Sequence, residues 1–90
     1  MNLNIEIRPL GSLEDQWDCN KQITLPKGTP IYELLEKLSE QSRKLDLVNE
    51  FKKRRILILL NGMDLSCFQG LKTTLNQDSE IVILPTVHGG

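Results

Sequence analysis

A single amphipathic helix, with strand-like segments on both sides of it, is the feature that most constrains the fold of this chain. Residues 28–44 read GTPIYELLEKLSEQSRK, and the apolar residues at positions i, i+3, i+4 and i+7 are Ile31, Leu34, Leu35 and Leu38. This spacing predicts one apolar stripe that must pack against a sheet. Thr29 is expected to cap the helix N-terminus, with Pro30 at the first helical position.

Two strands are predicted before the helix. Leu3, Ile5 and Ile7 alternate with polar residues, and residues 22–25 alternate in the same way. Alternation with a period of two is typical of a strand with one buried face. We therefore expect an antiparallel pair of strands, joined by a polar loop over residues 11–20.

Two continuous apolar runs follow the helix, ILILL at residues 56–60 and IVIL at residues 81–84. Continuous rather than alternating apolar residues indicate central strands that are buried on both faces. Between the helix and the first run, residues 44–55 are compatible with a short second helix or with a loop.

The order of elements is strand, strand, helix, strand, irregular segment and strand, which predicts an α+β fold. A β-grasp fold, in which one main helix crosses a mixed sheet of four to five strands, satisfies this order. In such a fold the last strand lies centrally, beside the first strand. We predict a β-grasp domain over residues 1–85 and a flexible C-terminal tail over residues 86–90.

The composition fits one small globular domain. Ninety residues leave room for a single core, and 39% apolar with 26% charged residues argues against disorder. The formal net charge of −1 gives no overall attraction to nucleic acid, so direct nucleic-acid binding is not expected. The N-terminus lacks a signal-peptide pattern, and no apolar stretch reaches the roughly 20 residues of a membrane helix. A cytoplasmic protein without membrane contact is therefore expected.

The sequence contains no set of residues that would support catalysis by this chain alone. His88 is the single histidine, and the two cysteines, Cys19 and Cys67, are far apart in the chain. No phosphate-binding loop, paired-carboxylate motif or zinc-ligand spacing is present. We predict that the protein is not an enzyme and that it binds no metal or cofactor. Reduced cysteines are the expectation for an intracellular protein, and a disulfide between Cys19 and Cys67 stays open as the alternative.

A run of four basic residues, Lys52 to Arg55, is the one charge cluster in the sequence. Such runs are usually solvated, so a solvated loop is the favoured interpretation. A docking patch for an acidic partner or RNA is the alternative, although no aromatic residues are interleaved with the charges.

The chain ends in ILPTVHGG, residues 83–90, so that two glycines follow closely on an apolar strand. Because they lack Cβ atoms, Gly89 and Gly90 can thread through a narrow cleft. A terminal carboxylate held at a short distance from a rigid strand can be presented to the active site of another enzyme, since capture of chain ends is a known recognition mode.

The whole chain resembles the MoaD/ThiS/ubiquitin-related-modifier family of β-grasp sulfur carriers and protein modifiers. The segments that carry the resemblance are TPIYELLEKL (residues 29–38), ILILLNG (residues 56–62) and LNQDSEIVILPTVHGG (residues 75–90). The resemblance implies a ubiquitin-like β-grasp fold.

Two branches of that family share features with the tail of this chain. Pro85 and Val87 are similar to the tail of the molybdopterin-synthase small subunit, which usually has a second proline and a small residue where this chain has Thr86 and His88. His88 before the two glycines instead resembles the ubiquitin-related modifier, and it favours the modifier branch.

The resemblance also implies a function for the C-terminal carboxylate. A partner activating enzyme would adenylate Gly90 with its own ATP. A persulfide or sulfide would then give a thiocarboxylate that donates sulfur, as in tRNA thiolation, whereas a lysine amine would give an isopeptide bond to a target protein.

The implied partners are the activating enzyme, a sulfur donor protein and lysine-bearing target proteins. In this interpretation Val87, His88 and Gly89 thread the activating enzyme, and Pro85 contributes to docking.

Two alternative functions stay open at this point. One is the small subunit of molybdopterin synthase, a sulfur carrier in molybdenum cofactor synthesis. The other belongs to a different class, a β-grasp interaction domain whose Gly-Gly end is incidental.

Overall fold

The structure is a computed structural model that describes residues 1–17, 21–42 and 45–86. Within these residues the main sheet has five strands: β1 (Asn2–Pro9), β2 (Gln22–Pro26), β4 (Ile56–Leu60), β5 (Met63–Asp64) and β7 (Ser79–Pro85). Their spatial order is β2-β1-β7-β4-β5. Two shorter strands, β3 (Thr29–Pro30) and β6 (Thr74–Leu75), form a separate antiparallel pair.

The pairing within the main sheet is mixed, as predicted. β1 pairs with β2 in the antiparallel sense and with β7 in the parallel sense, while β7 also pairs with β4 in the antiparallel sense. The last strand therefore lies between β1 and β4, in the centre of the sheet. The predicted central position of the last strand beside the first is confirmed.

The main helix is α2 (Ile31–Gln41), and its predicted apolar stripe forms the centre of the core. All four stripe residues have 0% of their surface exposed: Ile31, Leu34, Leu35 and Leu38. They pack in one cluster with buried strand residues that include Ile5, Ile58 and Ile81. The amphipathic pattern was sufficient to place this helix on the sheet.

The predicted start of α2 is wrong by one residue. Pro30 is the N-cap, with φ −73° and ψ 152°, and Ile31 is the first helical residue. Thr29 is not the cap, because it belongs to β3 and its hydroxyl donates to the carbonyl oxygen of Pro26 at 2.6 Å. Pairing between β3 and β6 thus decides the role of Thr29, and this pairing leaves no trace in the local sequence.

Two further helices occupy segments that the sequence left open or predicted differently. The segment 44–55, predicted as helix or loop, contains α3 (Leu47–Lys52). Asp46 caps the N-terminus of this helix by accepting from the backbone N–H of Asn49 at 3.1 Å. The polar loop predicted over residues 11–20 instead contains α1 (Ser12–Gln16). A helix of five residues is too short to show a periodic pattern.

The two apolar runs form strands, but they are not buried on both faces as predicted. In β4 the exposure alternates: Ile56, Ile58 and Leu60 face the core, whereas Leu57 is 39% exposed. In β7 the buried residues Ile81 and Ile83 alternate with partly exposed ones. A continuous apolar run is therefore compatible with one covered face and one apolar open face.

Candidate functional site

The predicted site residues lie at the end of β7 and beyond it. Pro85 is the last residue of this strand, and Thr86 follows it. The other predicted site residues fall outside the described part of the chain; they are Val87, His88, Gly89 and Gly90. We call Pro85 and Thr86 the root, because the C-terminal segment leaves the sheet from these two residues.

The strand that leads to the root is held on both of its edges. Ile81 and Ile83 of β7 are both 0% exposed, and the strand pairs with β1 along one edge and β4 along the other. Beyond the end of β1, the backbone N–H of Leu10 donates to the carbonyl oxygen of Ile83 at 2.9 Å. The position of the root is therefore fixed by three adjacent strands.

Gly11 contacts the root from the β1 side. Its φ is +61°, a left-handed conformation that favours glycine, and a Cβ atom at this position would lie 3.3 Å from Cγ of Pro85. A side chain at residue 11 would thus combine backbone strain with a close contact to the proline ring. Glycine allows the turn after β1 to lie directly against Pro85.

Thr86 is bound from the other side by the residues that precede β4. Its backbone N–H donates to the carbonyl oxygen of Arg55 at 2.9 Å, and its hydroxyl donates to the carbonyl oxygen of Arg54 at 2.8 Å. Both distances are within the range of well-formed hydrogen bonds. Thr86, which we predicted as part of the flexible tail, is bonded to the folded domain.

The basic run provides these acceptors through the way in which α3 ends. The N–H of Arg54 donates to the oxygen of Phe51, and the N–H of Arg55 donates to the oxygen of Glu50, while Arg54 has φ +59°. This pattern is a Schellman motif, in which the residue after the helix C-cap is left-handed. Within the motif the accepting carbonyls are those of Glu50 and Phe51. The carbonyls of Arg54 and Arg55 are left available to accept from Thr86.

The charged groups of the basic run are exposed, as the solvated-loop interpretation requires. Arg55 also pairs with Glu50, with 3.3 Å between Nη1 and Oε1. Sequence reasoning missed the structural role of Arg54 and Arg55, because a charge pattern does not show which backbone carbonyls are free.

The face of the sheet opposite α2 carries an apolar area next to the root. We call it the outer-face patch, and its residues are Leu57, Leu59, Val82 and Leu84. Leu57 lies opposite Leu84 and Leu59 opposite Val82 in the β4–β7 register, so that the four side chains are neighbours. Arg8, opposite Val82 on the next strand, forms an ion pair with Glu80 at 3.3 Å along one side of the patch.

One carboxylate of the described residues has a shifted pKa. The backbone N–H of Ser66 donates to Oδ1 of Asp64 at 2.8 Å, and this hydrogen bond, reinforced by one from the serine hydroxyl, lowers the pKa of Asp64 below the usual aspartate range. Asp64 caps a short 3-10 turn at Leu65–Cys67 on the far side of β4. The shift thus belongs to a turn and not to the root.

Among the described residues, no group of three or more histidine, cysteine, aspartate or glutamate residues could hold a metal ion. Cys67 is an exposed free thiol, and Cys19 falls among the residues that the structure does not describe. None of the helices in this part of the chain is long and apolar enough to cross a membrane.

Comparison with protein families identifies the family to which this chain belongs. Residues 10–90 match the ThiS family. The chain belongs to the ThiS family. It is thus a member of a group of small ubiquitin-like sulfur carriers and modifiers. The match extends from the turn after β1 through both terminal glycines, and comparison with curated protein sequences gives no further match.

Solved structures of similar proteins support the fold of this ThiS-family protein. Small archaeal modifier protein 1 from Methanosarcina acetivorans has a TM-score of 0.74 and 25% identity, with 100% of this chain and 99% of that chain covered. Urm1 from Trypanosoma brucei has a TM-score of 0.71 and 21% identity, with 99% and 97% covered. The predicted ubiquitin-like β-grasp fold is confirmed.

A third similar structure is a Pyrococcus furiosus protein provisionally assigned as subunit 1 of molybdopterin converting factor. It has a TM-score of 0.66 and 14% identity, with 94% of this chain and 99% of that chain covered. At 14% and 21% identity, the Pyrococcus and Trypanosoma structures show the shared fold alone. They do not distinguish the branches of the family.

Proposed function

We propose that this ThiS-family protein is a carrier whose Gly90 carboxylate is adenylated by a partner enzyme. The observation that carries the proposal is that the family match extends to residue 90, only four residues after a root held by the central strand. Fully extended, residues 87–90 span at most about 14 Å, at roughly 3.5 Å per residue. The carboxylate is therefore presented within a short, limited distance of a rigid domain.

The activation step needs no general base from this chain. The nucleophile is the carboxylate of Gly90 itself, so no proton has to be removed from it. A carboxylate oxygen attacks the α-phosphorus of ATP; a carbon–oxygen–phosphorus linkage forms, and pyrophosphate leaves. The resulting acyl-adenylate has AMP as a good leaving group.

The second step transfers the carbonyl to sulfur or nitrogen. Sulfide attacks the carbonyl carbon and displaces AMP, which yields the thiocarboxylate directly. A protein persulfide gives an acyl disulfide, and a second thiol of the sulfur donor then reduces it, releasing the thiocarboxylate and leaving a disulfide on the donor. A lysine amine displaces AMP, loses a proton and forms an isopeptide bond with a target protein.

The outer-face patch is the surface that we propose for docking to the activating enzyme. Its leucine and valine side chains are at least partly exposed, and Leu57, at 39%, is one of the exposed large apolar residues of the described chain. Contiguous exposed apolar surface is typical of interaction sites. The patch lies on the two strands that lead to the root, so that an enzyme bound there also meets the C-terminal segment.

The branch within the family remains a prediction. His88 favours the modifier branch, which combines sulfur transfer and protein conjugation, and the small subunit of molybdopterin synthase is the alternative on the basis of Pro85 and Val87. A binding domain with an incidental Gly-Gly end is disfavoured, since the family match includes both glycines. No catalytic residue, metal or cofactor is assigned to this chain.

The proposal is tested by changing the length of the C-terminal segment. The activating enzyme is isolated from the same cell by its ATP–pyrophosphate exchange in the presence of the wild-type protein. One alanine added after Gly90 moves the carboxylate by roughly 3.5 Å. Because misplacement by 1 Å can lower a rate about a hundredfold, we expect exchange to fall at least that much.

The matched control is one alanine added before Met1, which is 99% exposed and lies outside the proposed docking surface. Both variants should unfold at the wild-type temperature, and the N-terminal variant should support normal exchange. Wild-type exchange by the C-terminally extended protein would show that the position of the carboxylate is irrelevant, and would overturn the proposal.

A further inference from the structure

We infer that Thr86 is a positioning residue for activation, because its hydroxyl holds the root to the turn before β4. The inference rests on the proposed function, since it concerns delivery of the same carboxylate. It assigns a role to a side chain that lies four residues before the reacting group and donates to a backbone carbonyl of the protein itself.

The two hydrogen bonds of Thr86 differ in what they require. The bond from its N–H to Arg55 continues the β4–β7 ladder by one step beyond the pair Ile56 and Pro85, and any residue except proline could form it. The bond from its hydroxyl to Arg54, at 2.8 Å, needs a side-chain donor. Residue 86 can therefore form both hydrogen bonds, from its main chain and from its side chain, when it is threonine or serine.

The acceptor for this hydroxyl is held in place by bonds that do not involve Thr86. Arg54 lies in the Schellman motif at the end of α3, and its N–H is bonded to the oxygen of Phe51 at 3.0 Å. Its φ of +59° fixes the direction of the following peptide group. Thr86 thus ties the C-terminal segment to the end of a helix as well as to the sheet.

Gly11 lies against the root from the opposite side. A Cβ atom at residue 11 would lie 3.3 Å from Cγ of Pro85, so glycine lets the turn after β1 approach the proline ring closely. Pro85 and Thr86 therefore lie between two turns that belong to different strands. Without the hydroxyl bond, the N–H bond to Arg55 would still hold residue 86 at the end of the ladder, but its side chain would lose its bond to the turn before β4.

A loosened root makes capture of the carboxylate less favourable. Fixing the backbone of one residue disfavours binding by about tenfold through lost conformational entropy. When Thr86 is already fixed in the free protein, binding to the activating enzyme does not include this loss of entropy. The effect acts on capture and not on the chemical step, because the segment reaches the same bound geometry in either case.

The test compares Thr86→Val, Thr86→Ser and Thr74→Val in the same ATP–pyrophosphate exchange assay. Valine keeps the β-branched shape but removes the donor, whereas serine retains the hydroxyl. Thr74 is an exposed threonine on β6, outside the root and the outer-face patch, and its hydroxyl accepts from Nδ2 of Asn76 at 3.3 Å. We expect Thr86→Val to raise KM about tenfold with kcat within about twofold.

Thr86→Ser and Thr74→Val should both have a KM close to that of the wild type, and all three variants should unfold within a few degrees of it. An unchanged KM for Thr86→Val, or a rise that Thr86→Ser shares, would overturn the inference and leave the proposed function intact. Absence of exchange with the wild-type protein itself would overturn the proposed function, and the inference with it.

Discussion

Backbone groups, rather than charged side chains, define the root of the C-terminal segment. The carbonyl oxygens of Arg54 and Arg55 accept both hydrogen bonds from Thr86, and the missing side chain of Gly11 leaves room for Pro85. The basic run is exposed as predicted, but its contribution to the site comes from its main chain.

The left-handed residue at the end of α3 leads to a prediction about stability. Arg54 has φ +59°, which is unfavourable for a residue with a Cβ atom, whereas glycine adopts it freely. We expect Arg54→Gly to raise the free energy of unfolding by up to about 1 kcal/mol, measured by urea denaturation.

The matched control for this prediction is Lys53→Gly, one residue earlier in the same exposed run. Lys53 has φ −85°, so glycine relieves no strain there, and its greater freedom in the unfolded chain should lower stability by about 0.5–1 kcal/mol. Equal destabilisation by both substitutions would show that the backbone of Arg54 carries no strain.

At the level of elements, the two faces of the sheet differ in what covers them. One face packs against α2 and holds the core, and the other presents the outer-face patch beside the root. The sequence predicted the helix and the apolar strands, but it could not tell that one face of β4 and β7 stays open. Burial of an apolar strand residue depends on whether a second layer covers it, and that is a tertiary property.

The same substitution on the two faces of β4 should therefore have different effects. Leu60 faces the core and is 7% exposed, whereas Leu57 faces outward and is 39% exposed. We expect Leu60→Ala to lower the free energy of unfolding by about 2–5 kcal/mol, because it leaves a cavity. Leu57→Ala should lower it by less than about 1 kcal/mol and instead raise KM for the activating enzyme.

Urea denaturation and the exchange assay check this pair of substitutions. If Leu57→Ala leaves KM unchanged while the protein stays folded, the outer-face patch is not the docking surface. The carboxylate proposal would remain, since the enzyme could dock on another face of the domain.

For the whole molecule, the fold and the family could be predicted, whereas the details of the site could not. The order of elements was enough to place β7 centrally, because few mixed sheets accommodate one main helix between two pairs of strands. The roles of Gly11 and Thr86 depend on which turns the β1–β7 and β4–β7 registers bring to the end of β7. Those registers join strands that are distant in the chain, so the pattern within one strand does not show which turns they bring together.

The central claim is that the carboxylate of Gly90 is the functional group. Mass spectrometry of the C-terminal peptide of the protein tests this most directly. The protein is purified from its own cell under sulfur demand. After trypsin digestion, lysines of other proteins are searched for an attached remnant of residues 73–90, because Lys72 is the last trypsin site before Gly90. We predict a thiocarboxylate, with a mass increase of about 16 Da confined to the C-terminal peptide, or the remnant on target lysines, or both. An unmodified C-terminus together with no remnant on any lysine would contradict the account.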